Sequence, residues 1–516
     1  MRNSALKDAF ENSFNHWTNE PAVTFYRQGN SETSLTYGQL ERDANQLAHT
    51  FIEAGVKKGD RVIFFMEKSL IGVVGHIALQ KIGAVAVPLN PGFKKTEMEY
   101  LVHDADATLV MTDPERELLL AEIAPDLKKL AVSSQAAYQT LDFFRRSPEV
   151  APSVTIEPGD PALIIYTSGT TGKPKGAVLT QRNLIHDAEN IIGIWEISNK
   201  DVLCHALPLF HIHGLCFALH TALLTGAYTR MLDQFNPAPA LKFLSRNMDD
   251  NLCTVFMAVP TMYTKLMDLC EISKTQHPDF SQLRLLTSGS APLLVKEFRR
   301  IKRIFGREPV EREGMSETGM NFSNPIAGER KPGSIGRPLP GLKVRIVDPD
   351  SQKDVEPGAV GEIWLKGPGI TPGYWRKPKE TQKTFVEGWF RTGDLGRVDP
   401  EGYYYLTDRL KHIIISGGEN VSAKEVEMVI NGAEGVVESA VVGIPDEKWG
   451  ETVAAAVVLK PNAAATPGDI QNHCRRNLHK WKSPQKILFV DELPRNSMGK
   501  VLNEAVKRLF ECRHVP

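Results

Sequence analysis

The sequence predicts an α/β protein with a large N-terminal domain of βαβ units and a small α/β C-terminal domain. Apolar, β-rich runs such as RVIFFM, AVAVPL and ATLVMT alternate with helix-like stretches such as residues 37–54, whose apolar residues recur at three- and four-residue steps. This alternation is typical of parallel sheets covered by helices. The 516 residues also exceed the roughly 250–300 that one hydrophobic core usually serves.

The most apolar stretch of the chain lies at residues 69–88. Glycine and polar residues interrupt it, so it falls short of the roughly 20 apolar residues that a membrane-spanning helix needs. We therefore expect a buried helix followed by a strand, and no transmembrane segment.

The pattern changes near residue 341, where short strands (KVRIVD, GEIWLK, YYYLTD) are separated by Pro and Gly turns. This texture predicts a β-rich subdomain that ends near residue 408. A mixed pattern follows, with KEVEMVI as a helix and ESAVVGIP and ETVAAAVVLK as strands. We therefore place the domains at 1–408 and 409–516.

The net charge and the cysteine spacing limit the classes of partner and site that the chain can have. The formal net charge is -1 and no basic block recurs, which argues against nucleic acid or an anionic membrane as a partner and favours small molecules. The six cysteines are scattered, without the spacing of a zinc site or the density of a disulfide scaffold. The N-terminal residues also lack a signal-peptide pattern, so we expect a cytoplasmic protein.

A candidate phosphate-binding loop, YTSGTTGKPKG (residues 166–176), follows the apolar strand ALIIY. Glycines let the backbone N–H groups approach anionic oxygens, hydroxyls donate hydrogen bonds, and lysines supply positive charge. The spacing of a Walker A loop is absent. Taken alone, the segment is equally compatible with a flexible surface turn.

Further motifs follow in order: LPLFHIHG (207–214), SGSAPL (288–293), GMSET (314–318), WFRTGDLG (389–396), DRLKHIIISGGENV (408–421) and LPRNSMGK (493–500). With them, the chain resembles the adenylate-forming superfamily of acyl-CoA synthetases, luciferases and peptide-synthetase adenylation domains. The resemblance implies an ATP-dependent acyl-CoA synthetase that forms an acyl-adenylate and then a thioester. It also implies ATP, Mg²⁺ and coenzyme A as cofactors, and a carboxylic acid as substrate.

The resemblance assigns roles to residues of the larger domain. Glu317 is the implied Mg²⁺ ligand together with Thr170, since a hard cation that bridges phosphates takes oxygen ligands. Lys175 joins Glu317 among the catalytic residues, because its charge meets the departing pyrophosphate. The implied nucleotide-binding residues are Thr167, Ser168, Gly169, Thr170, Thr171, Gly172, Lys173, Gly289, Ser290, Ala291, Pro292, Glu311, Glu313, Gly314, Met315, Ser316, Thr318, Asp394 and Arg409.

Asp394 is similar to the carboxylate that accepts both ribose hydroxyls, and Arg409 to the partner that holds the same sugar. In the smaller domain, Lys500 resembles the mobile catalytic lysine that bridges the α-phosphate and the attacking carboxylate. Lys411 occupies the position of the family's hinge. The resemblance places the CoA pantetheine chain at the GGEN loop, with Gly417, Gly418 and Glu419. The hinge implies two successive arrangements of the domains, one for each half-reaction.

Glu313 departs from the family, where most relatives have an aromatic residue that stacks on adenine. The carboxylate either hydrogen-bonds the adenine amino group or points to solvent. Because of Glu313, the chain could also be a nucleotide-binding protein that has lost ligase activity. The presence of Lys500, Glu317 and Asp394 argues against this alternative.

The segment EREGMSETGMNFSNPIAGERKPGSIGRPLPG (311–341) resembles malonyl-CoA synthetases. A dicarboxylate leaves a second carboxylate in the acid pocket, where an arginine should meet it. The candidates are Arg230 and Arg284, and either could instead be a structural ion-pair partner.

The family places His211 at the wall of the acid pocket. His211 and His213 could otherwise form a metal pair or an acid–base pair.

Alternative substrates are a short or medium monocarboxylate or methylmalonate, and a carrier protein is an alternative acceptor to CoA.

Overall fold

The computed structural model describes residues 5–167, 173–246, 252–272, 278–416, 419–446, 449–495 and 501–511. The chain forms two compact units. The first comprises Met1–Lys343 and Leu365–Phe390, and the second comprises Val344–Trp364 and Arg391–Pro516.

The strands in chain order are β1 (Pro21–Arg27), β2 (Asn30–Thr36), β3 (Arg61–Phe65), β4 (Val85–Pro88), β5 (Leu109–Thr112), β6 (Lys128–Ala131), β7 (Pro161–Thr167), β8 (Lys175–Thr180), β9 (Val202–His205), β10 (Tyr228–Leu232), β11 (Val255–Ala258), β12 (Leu285–Ser288), β13 (Val310–Met315), β14 (Gly319–Ser323), β15 (Arg337–Pro338), β16 (Lys343–Val347), β17 (Gly361–Lys366), β18 (Phe385–Val386), β19 (Trp389–Val398), β20 (Tyr404–Arg409), β21 (Ile413–Ser416), β22 (Glu419–Ser422), β23 (Val436–Asp446), β24 (Gly450–Leu459) and β25 (Lys486–Phe489).

The α-helices are α1 (Leu6–His16), α2 (Tyr37–Glu53), α3 (Leu70–Ile82), α4 (Lys95–Ala105), α5 (Glu117–Ile123), α6 (Gln181–Trp195), α7 (Thr221–Thr225), α8 (Pro237–Leu244), α9 (Pro260–Ile272), α10 (Val295–Phe305), α11 (Pro378–Thr384), α12 (Ala423–Ile430), α13 (Pro467–Asn477) and α14 (Asn503–Glu511). A π-helix spans His213–His220, and short 3-10 helices span Pro114–Arg116, Tyr138–Thr140, Leu410–His412 and Lys480–Lys482.

Two sheets organise the first unit. One has the strand order β6-β5-β3-β4-β7-β8, parallel except for the antiparallel β7–β8 hairpin. The other has the order β15-β14-β13-β12-β11-β9-β10-β1-β2, with a parallel centre from β13 to β1 and antiparallel edges. The predicted βαβ architecture is confirmed.

The predicted helix at residues 37–54 is α2, which begins at a capping box made by Thr36 and Gln39. The apolar stretch at 69–88 forms α3 and β4, as expected. Ser69 caps the start of α3, and Gly83 ends it in the left-handed conformation with φ 66°. Within the described part of the chain, no helix combines the length and apolarity needed to cross a membrane.

The second unit contains the sheet order β22-β21-β24-β23, with β25 parallel to β24, and a small core beneath α12 and α13. Another of its sheets takes parts of β16, β17 and β19 together with β20. The mixed α/β fold with a large and a small domain is confirmed, whereas the exact boundary between residues 408 and 409 stays a prediction.

Candidate active site

The buried carboxylate of Glu317 lies in the turn between β13 and β14, with 7% of the residue exposed. Its Oε1 atom accepts hydrogen bonds from Thr167 Oγ1 and from Tyr374 Oη, each 3.1 Å long. The backbone of Glu317 is held as well, because its carbonyl accepts the N–H of Thr371 at 2.7 Å. The turn therefore points one acidic group at the end of β7, where the phosphate-binding motif starts.

Lys175 lies at the loop end of the β7–β8 hairpin, where it pairs with Thr167, and Lys173 precedes it by two residues. The Lys175 Nζ atom lies 5.3 Å from the ring centroid of Tyr374. The Lys173 Nζ atom lies 5.2 Å from the ring centroid of Tyr100. The structure thus brings Thr167, Lys175 and Glu317 into one neighbourhood. The predicted residues Ser168, Gly169, Thr170, Thr171 and Gly172 lie outside the described residues.

The loop that follows β12 contains the predicted residues Gly289, Ser290, Ala291 and Pro292. Ser290 has φ 66°, a left-handed conformation that a residue with a side chain adopts at a cost. Its hydroxyl lies 3.3 Å from His213 Nδ1, at the start of the π-helix. The SGSAPL and FHIHG motifs therefore meet side by side.

Arg312 is a residue of this cluster that the sequence analysis missed. A Cβ atom at Gly289 would lie 2.6 Å from Arg312 Cζ, so the guanidinium packs directly on the backbone of that loop. On its other side, Cζ lies 5.0 Å from the ring centroid of Phe217 in the π-helix. Only 2% of Arg312 is exposed, and burial lowers the pKa of the guanidinium to about 10, so it stays charged at neutral pH.

The donors of Arg312 are incompletely used. Among the described residues, its Nε and Nη2 atoms are buried without a hydrogen-bond partner, and so is Nε2 of the neighbouring His213. Unpaired buried donors cost free energy, and a buried charge costs most. Such groups are rare in native proteins, where buried polar atoms are met by protein, water, an ion or a ligand. The available sequence signal is the position of Arg312 between Glu311 and Glu313, two residues that the resemblance assigns to nucleotide binding.

The contacts of Arg284 favour a structural role over the predicted acid-binding role. It precedes β12, whereas Gly289 and Ser290 follow the opposite end of the same strand. Its Nε and Nη2 atoms each donate to the Asp201 carboxylate at 2.6 Å, Nη2 also donates to the Glu196 carbonyl, and Nη1 donates to the Trp195 carbonyl. Arg284 is the structural ion-pair partner that the sequence left as the alternative.

Arg230 is equally engaged in the core of the first unit. The residue is 3% exposed and lies in β10. Its Cζ atom lies 3.8 Å from the ring centroid of Phe243, and Nε donates to the Tyr26 hydroxyl at 3.1 Å. These contacts favour a structural role over acid binding.

Burial keeps the histidines of the FHIHG motif neutral. It lowers the pKa of His211 to about 4 and that of His213 well below its ordinary value. Throughout the described residues, no group of three or more His, Cys, Asp or Glu side chains is arranged to hold a metal ion. The described residues therefore offer no further ligands to a metal ion bound by His211 and His213.

The predicted adenine segment runs along β13. Glu313 is half-buried, and its Oε2 atom accepts a hydrogen bond of 3.1 Å from Asn321 Nδ2. The Asn321 amide also donates to Thr318 Oγ1 at 2.7 Å. Glu313 is thus tied to the β13–β14 hairpin rather than directed only to solvent. Glu311 accepts the backbone N–H of Gly333 at 3.3 Å.

Three more predicted residues, Gly314, Met315 and Ser316, form the end of β13 and the turn before Glu317. A Cβ atom at Gly314 would lie 2.6 Å from the carbonyl oxygen of Gly319. Only glycine fits this close approach.

In the second unit, β20 runs antiparallel to β19 and places Asp394 opposite Arg409. Arg409 Nε and Asp394 Oδ1 lie 2.7 Å apart, so the two predicted ribose-binding residues are adjacent. Lys411 lies in the 3-10 helix Leu410–His412, and Glu419 begins β22. The predicted residues Gly417, Gly418 and Lys500 lie outside the described residues.

Comparison with known proteins identifies the family. A family model described as AMP-binding enzyme matches residues 10–375, and one described as AMP-binding enzyme C-terminal domain matches residues 425–500. The mitochondrial malonate–CoA ligase of Mus musculus is 36% identical over 494 residues, which cover 88% of this chain and 83% of the ligase. The oxalate–CoA ligase of Arabidopsis thaliana is 32% identical over 521 residues, which cover 99% of each chain.

Among solved structures, ATP-bound MatB from Rhodopseudomonas palustris matches with a TM-score of 0.90 at 34% identity, covering 98% of this chain and 99% of MatB. The superfamily resemblance inferred from the ordered motifs is confirmed. The chain belongs to the AMP-binding, adenylate-forming enzyme family and is an AMP-forming acid–thiol (CoA) ligase.

Proposed function

We propose that this ligase activates malonate, and that Arg312 binds the carboxylate that does not react. The observation that carries the proposal is the buried guanidinium whose Nε and Nη2 atoms have no partner among the described residues. The similarity to a mammalian malonate–CoA ligase supports the same substrate.

A dicarboxylate needs a cation inside its pocket, because one carboxylate reacts and the other must be buried as a charge. An unpaired carboxylate costs several kcal/mol in a protein interior, whereas a hydrogen-bonded arginine partner offsets that cost. The guanidinium also presents its donors in a planar fork that matches a carboxylate. The Phe217 ring and the Gly289 backbone hold this fork from two sides, so its orientation is fixed before the acid arrives.

His213 supplies the neighbouring donor in this proposal. Its Nδ1 atom faces the Ser290 hydroxyl, and its Nε2 atom is buried without a partner in the described part of the chain. If Nδ1 accepts the hydroxyl proton, Nε2 carries the ring's N–H and can donate it to the acid. A neutral imidazole adds this donor without adding charge beside Arg312.

Glu317 fits the Mg²⁺ ligand that the resemblance implies. One carboxylate oxygen accepts two hydroxyl groups, and the whole residue is buried beside the start of the phosphate-binding motif. A carboxylate of this kind suits a hard cation, which would offset negative charge on the ATP phosphates. Thr167 and Tyr374 then orient the carboxylate, and Lys175 adds charge nearby.

A panel of acids tests the substrate assignment. With ATP and hydroxylamine as the trap, we expect malonate to give the highest kcat/KM, ahead of methylmalonate, oxalate, butyrate and octanoate. Butyrate is the informative comparison because it lacks the second carboxylate. A butyrate value equal to or above that of malonate would refute the proposal.

The acceptor is tested separately. We expect free CoA to accept the acyl group, in keeping with the CoA-ligase relatives. Supplying equal concentrations of CoA and a holo carrier protein, and measuring thioester on each, distinguishes the two acceptors. Preferential loading of the carrier protein would contradict the assignment to CoA.

A further inference from the structure

A second buried carboxylate, Asp104 in α4, lies at the base of the phosphate-binding motif. Its side chain is 6% exposed and is in contact with three partners. The Tyr166 hydroxyl donates to Oδ2 at 2.9 Å, the Tyr100 hydroxyl lies 3.1 Å from Oδ1, and the Lys377 ammonium pairs with Oδ1. Neither the sequence motifs nor the proposed chemistry assigns a role to this cluster.

The cluster joins both sides of the β7–β8 hairpin. Tyr166 belongs to β7 and directly precedes Thr167. On the returning side, the carbonyl of Pro174 lies 2.9 Å from the Tyr100 hydroxyl. Asp104 is thus linked directly to the outgoing side of the motif, and through Tyr100 to the returning side.

The Tyr100 hydroxyl has one proton and two acceptors within reach, the carboxylate of Asp104 and the carbonyl of Pro174. Both distances allow the one proton to be shared as a three-centre hydrogen bond, so the Tyr100 hydroxyl bridges the carboxylate and the returning side of the motif. Burial, followed by the charge of Asp104, raises the pKa values of both tyrosines. Both hydroxyls therefore keep their protons at neutral pH and act as donors.

Lys377 extends the cluster toward Glu317. The same segment carries Tyr374, whose hydroxyl donates to Glu317, and Trp375, whose backbone N–H donates to the Gly176 carbonyl at 2.8 Å. Asp104 therefore connects the base of the phosphate-binding motif with the segment that orients Glu317. Every contact in this chain lies within the first unit.

We propose that Asp104 is a positioning residue for the adenylation half-reaction, which holds the two ends of the phosphate-binding motif in register with Glu317. It does not contact substrate, and it acts through Tyr166, Tyr100 and Lys377. The inference rests on the ligase activity of the family and not on the identity of the acid. Misplacing phosphate-binding groups by a fraction of an ångström slows a reaction that depends on positioning and charge stabilisation.

Measuring the two half-reactions separately distinguishes a positioning defect, which affects adenylation alone, from a loss of stability, which affects both. Adenylation releases pyrophosphate from ATP, whereas thioester formation starts from the acyl-adenylate and involves no pyrophosphate. We therefore expect Asp104→Asn to lower the rate of acid-dependent ATP–pyrophosphate exchange by roughly tenfold or more. Thioester formation from a synthetic acyl-adenylate and CoA should stay within about twofold of the wild-type rate.

Asp43→Asn is the matched control. Asp43 is also buried, accepts a tyrosine hydroxyl (Tyr138 at 2.6 Å) and pairs with an arginine (Arg145 at 3.6 Å), but it lies in α2. This variant should lose stability and leave both half-reactions unchanged. Equal losses of both half-reactions in Asp104→Asn, or an equal exchange defect in Asp43→Asn, would overturn the proposal.

Tyr166→Phe keeps the proposal testable if Asp104→Asn does not fold. It removes one hydroxyl and should lower exchange by about threefold to tenfold, in line with one lost charge-assisted hydrogen bond. The acid giving the fastest exchange with the wild type is used throughout, so a wrong substrate assignment leaves this test valid. An unchanged exchange rate in Tyr166→Phe would count against the proposal.

Discussion

Arg284 precedes β12 and Arg312 lies in the neighbouring strand β13, yet their guanidinium groups have different surroundings. Arg284 gives two donors to Asp201, whose side chain is 3% exposed. Two Arg312 donors have no partner among the described residues. The first arginine therefore contributes to stability, and the second is available to a ligand.

Replacing Arg284 tests the structural half of this contrast. Arg284→Met leaves the buried Asp201 carboxylate without its cation, which we expect to cost about 3 kcal/mol of unfolding free energy. The melting temperature should fall, while the ratio of malonate to butyrate kcat/KM stays within twofold of the wild type. A changed ratio at an unchanged melting temperature would return Arg284 to the acid pocket.

The residue scale also limits what the sequence could predict. Glu317, Asp394 and Arg409 were named from motifs, and the structure places each beside a polar partner within its own unit. Arg312 was missed because its burial and its unused donors arise from contacts with Gly289 and Phe217, which are distant in sequence. A local sequence pattern cannot show that a buried side chain lacks a hydrogen-bond partner.

At the scale of elements, a buried histidine pair joins α3 to the π-helix. His76 Nε2 and His220 Nε2 lie 2.9 Å apart, so one ring donates and the other accepts. Burial lowers the pKa of His76 to about 4 and that of His220 well below its ordinary value. Both rings are therefore neutral in the folded protein near pH 7.

The pair predicts a loss of stability in acid. Each histidine has a lower pKa in the folded protein than in the unfolded chain, where it is about 6.5. As pH falls from about 6.5 toward about 4, the unfolded chain binds protons that the folded protein does not, so the free energy of unfolding decreases. Each such histidine contributes up to about 1.4 kcal/mol per pH unit. Melting temperatures measured from pH 7.5 to 4.5 should fall below about pH 6.5.

The double variant His76→Leu and His220→Leu serves as the comparison, because neither replacement titrates. Its melting temperature should fall less steeply over the same range. Some slope should remain, since burial also lowers the pKa values of His205 and His211. An identical slope in both proteins would show that the pair does not titrate on unfolding.

Elements with a strong apolar period were predictable, and α2, α3 and β3 to β5 lie where the sequence placed them. The π-helix was not, because its apolar run HGLCFALH suits an α-helix equally well. The π-helix also makes contacts with residues distant in the chain, such as the hydrogen bond from His205 Nε2 to the Gly214 carbonyl at 2.8 Å, which the local sequence does not show. π-helical turns often occur at functional sites, and this one carries His213 and Phe217.

For the whole molecule, the ordered motifs were sufficient to predict the family, because each motif marks a different part of one reaction. The division of the chain into units was less predictable. The segment 344–364 joins the second unit although it precedes residues 365–390 of the first. Pairing between strands that are distant in sequence decides such a division, and local patterns do not contain it.

At the scale of the whole molecule, we expect Lys500 to serve adenylation and not thioester formation. Lys500→Ala should lower ATP–pyrophosphate exchange by about 100-fold or more, since it removes a charge that meets the developing negative charge. Thioester formation from a synthetic acyl-adenylate should persist. Loss of both activities at an unchanged melting temperature would contradict the separation of the half-reactions.

The proposed substrate is tested most directly by the acid selectivity of Arg312→Met. We expect kcat/KM for malonate to fall by roughly 100-fold, equivalent to about 3 kcal/mol, because the second carboxylate loses its buried partner. The value for butyrate should stay within threefold of the wild type or rise, which would reverse or abolish the preference. Equal losses for malonate and butyrate would contradict the assignment of Arg312 to the second carboxylate.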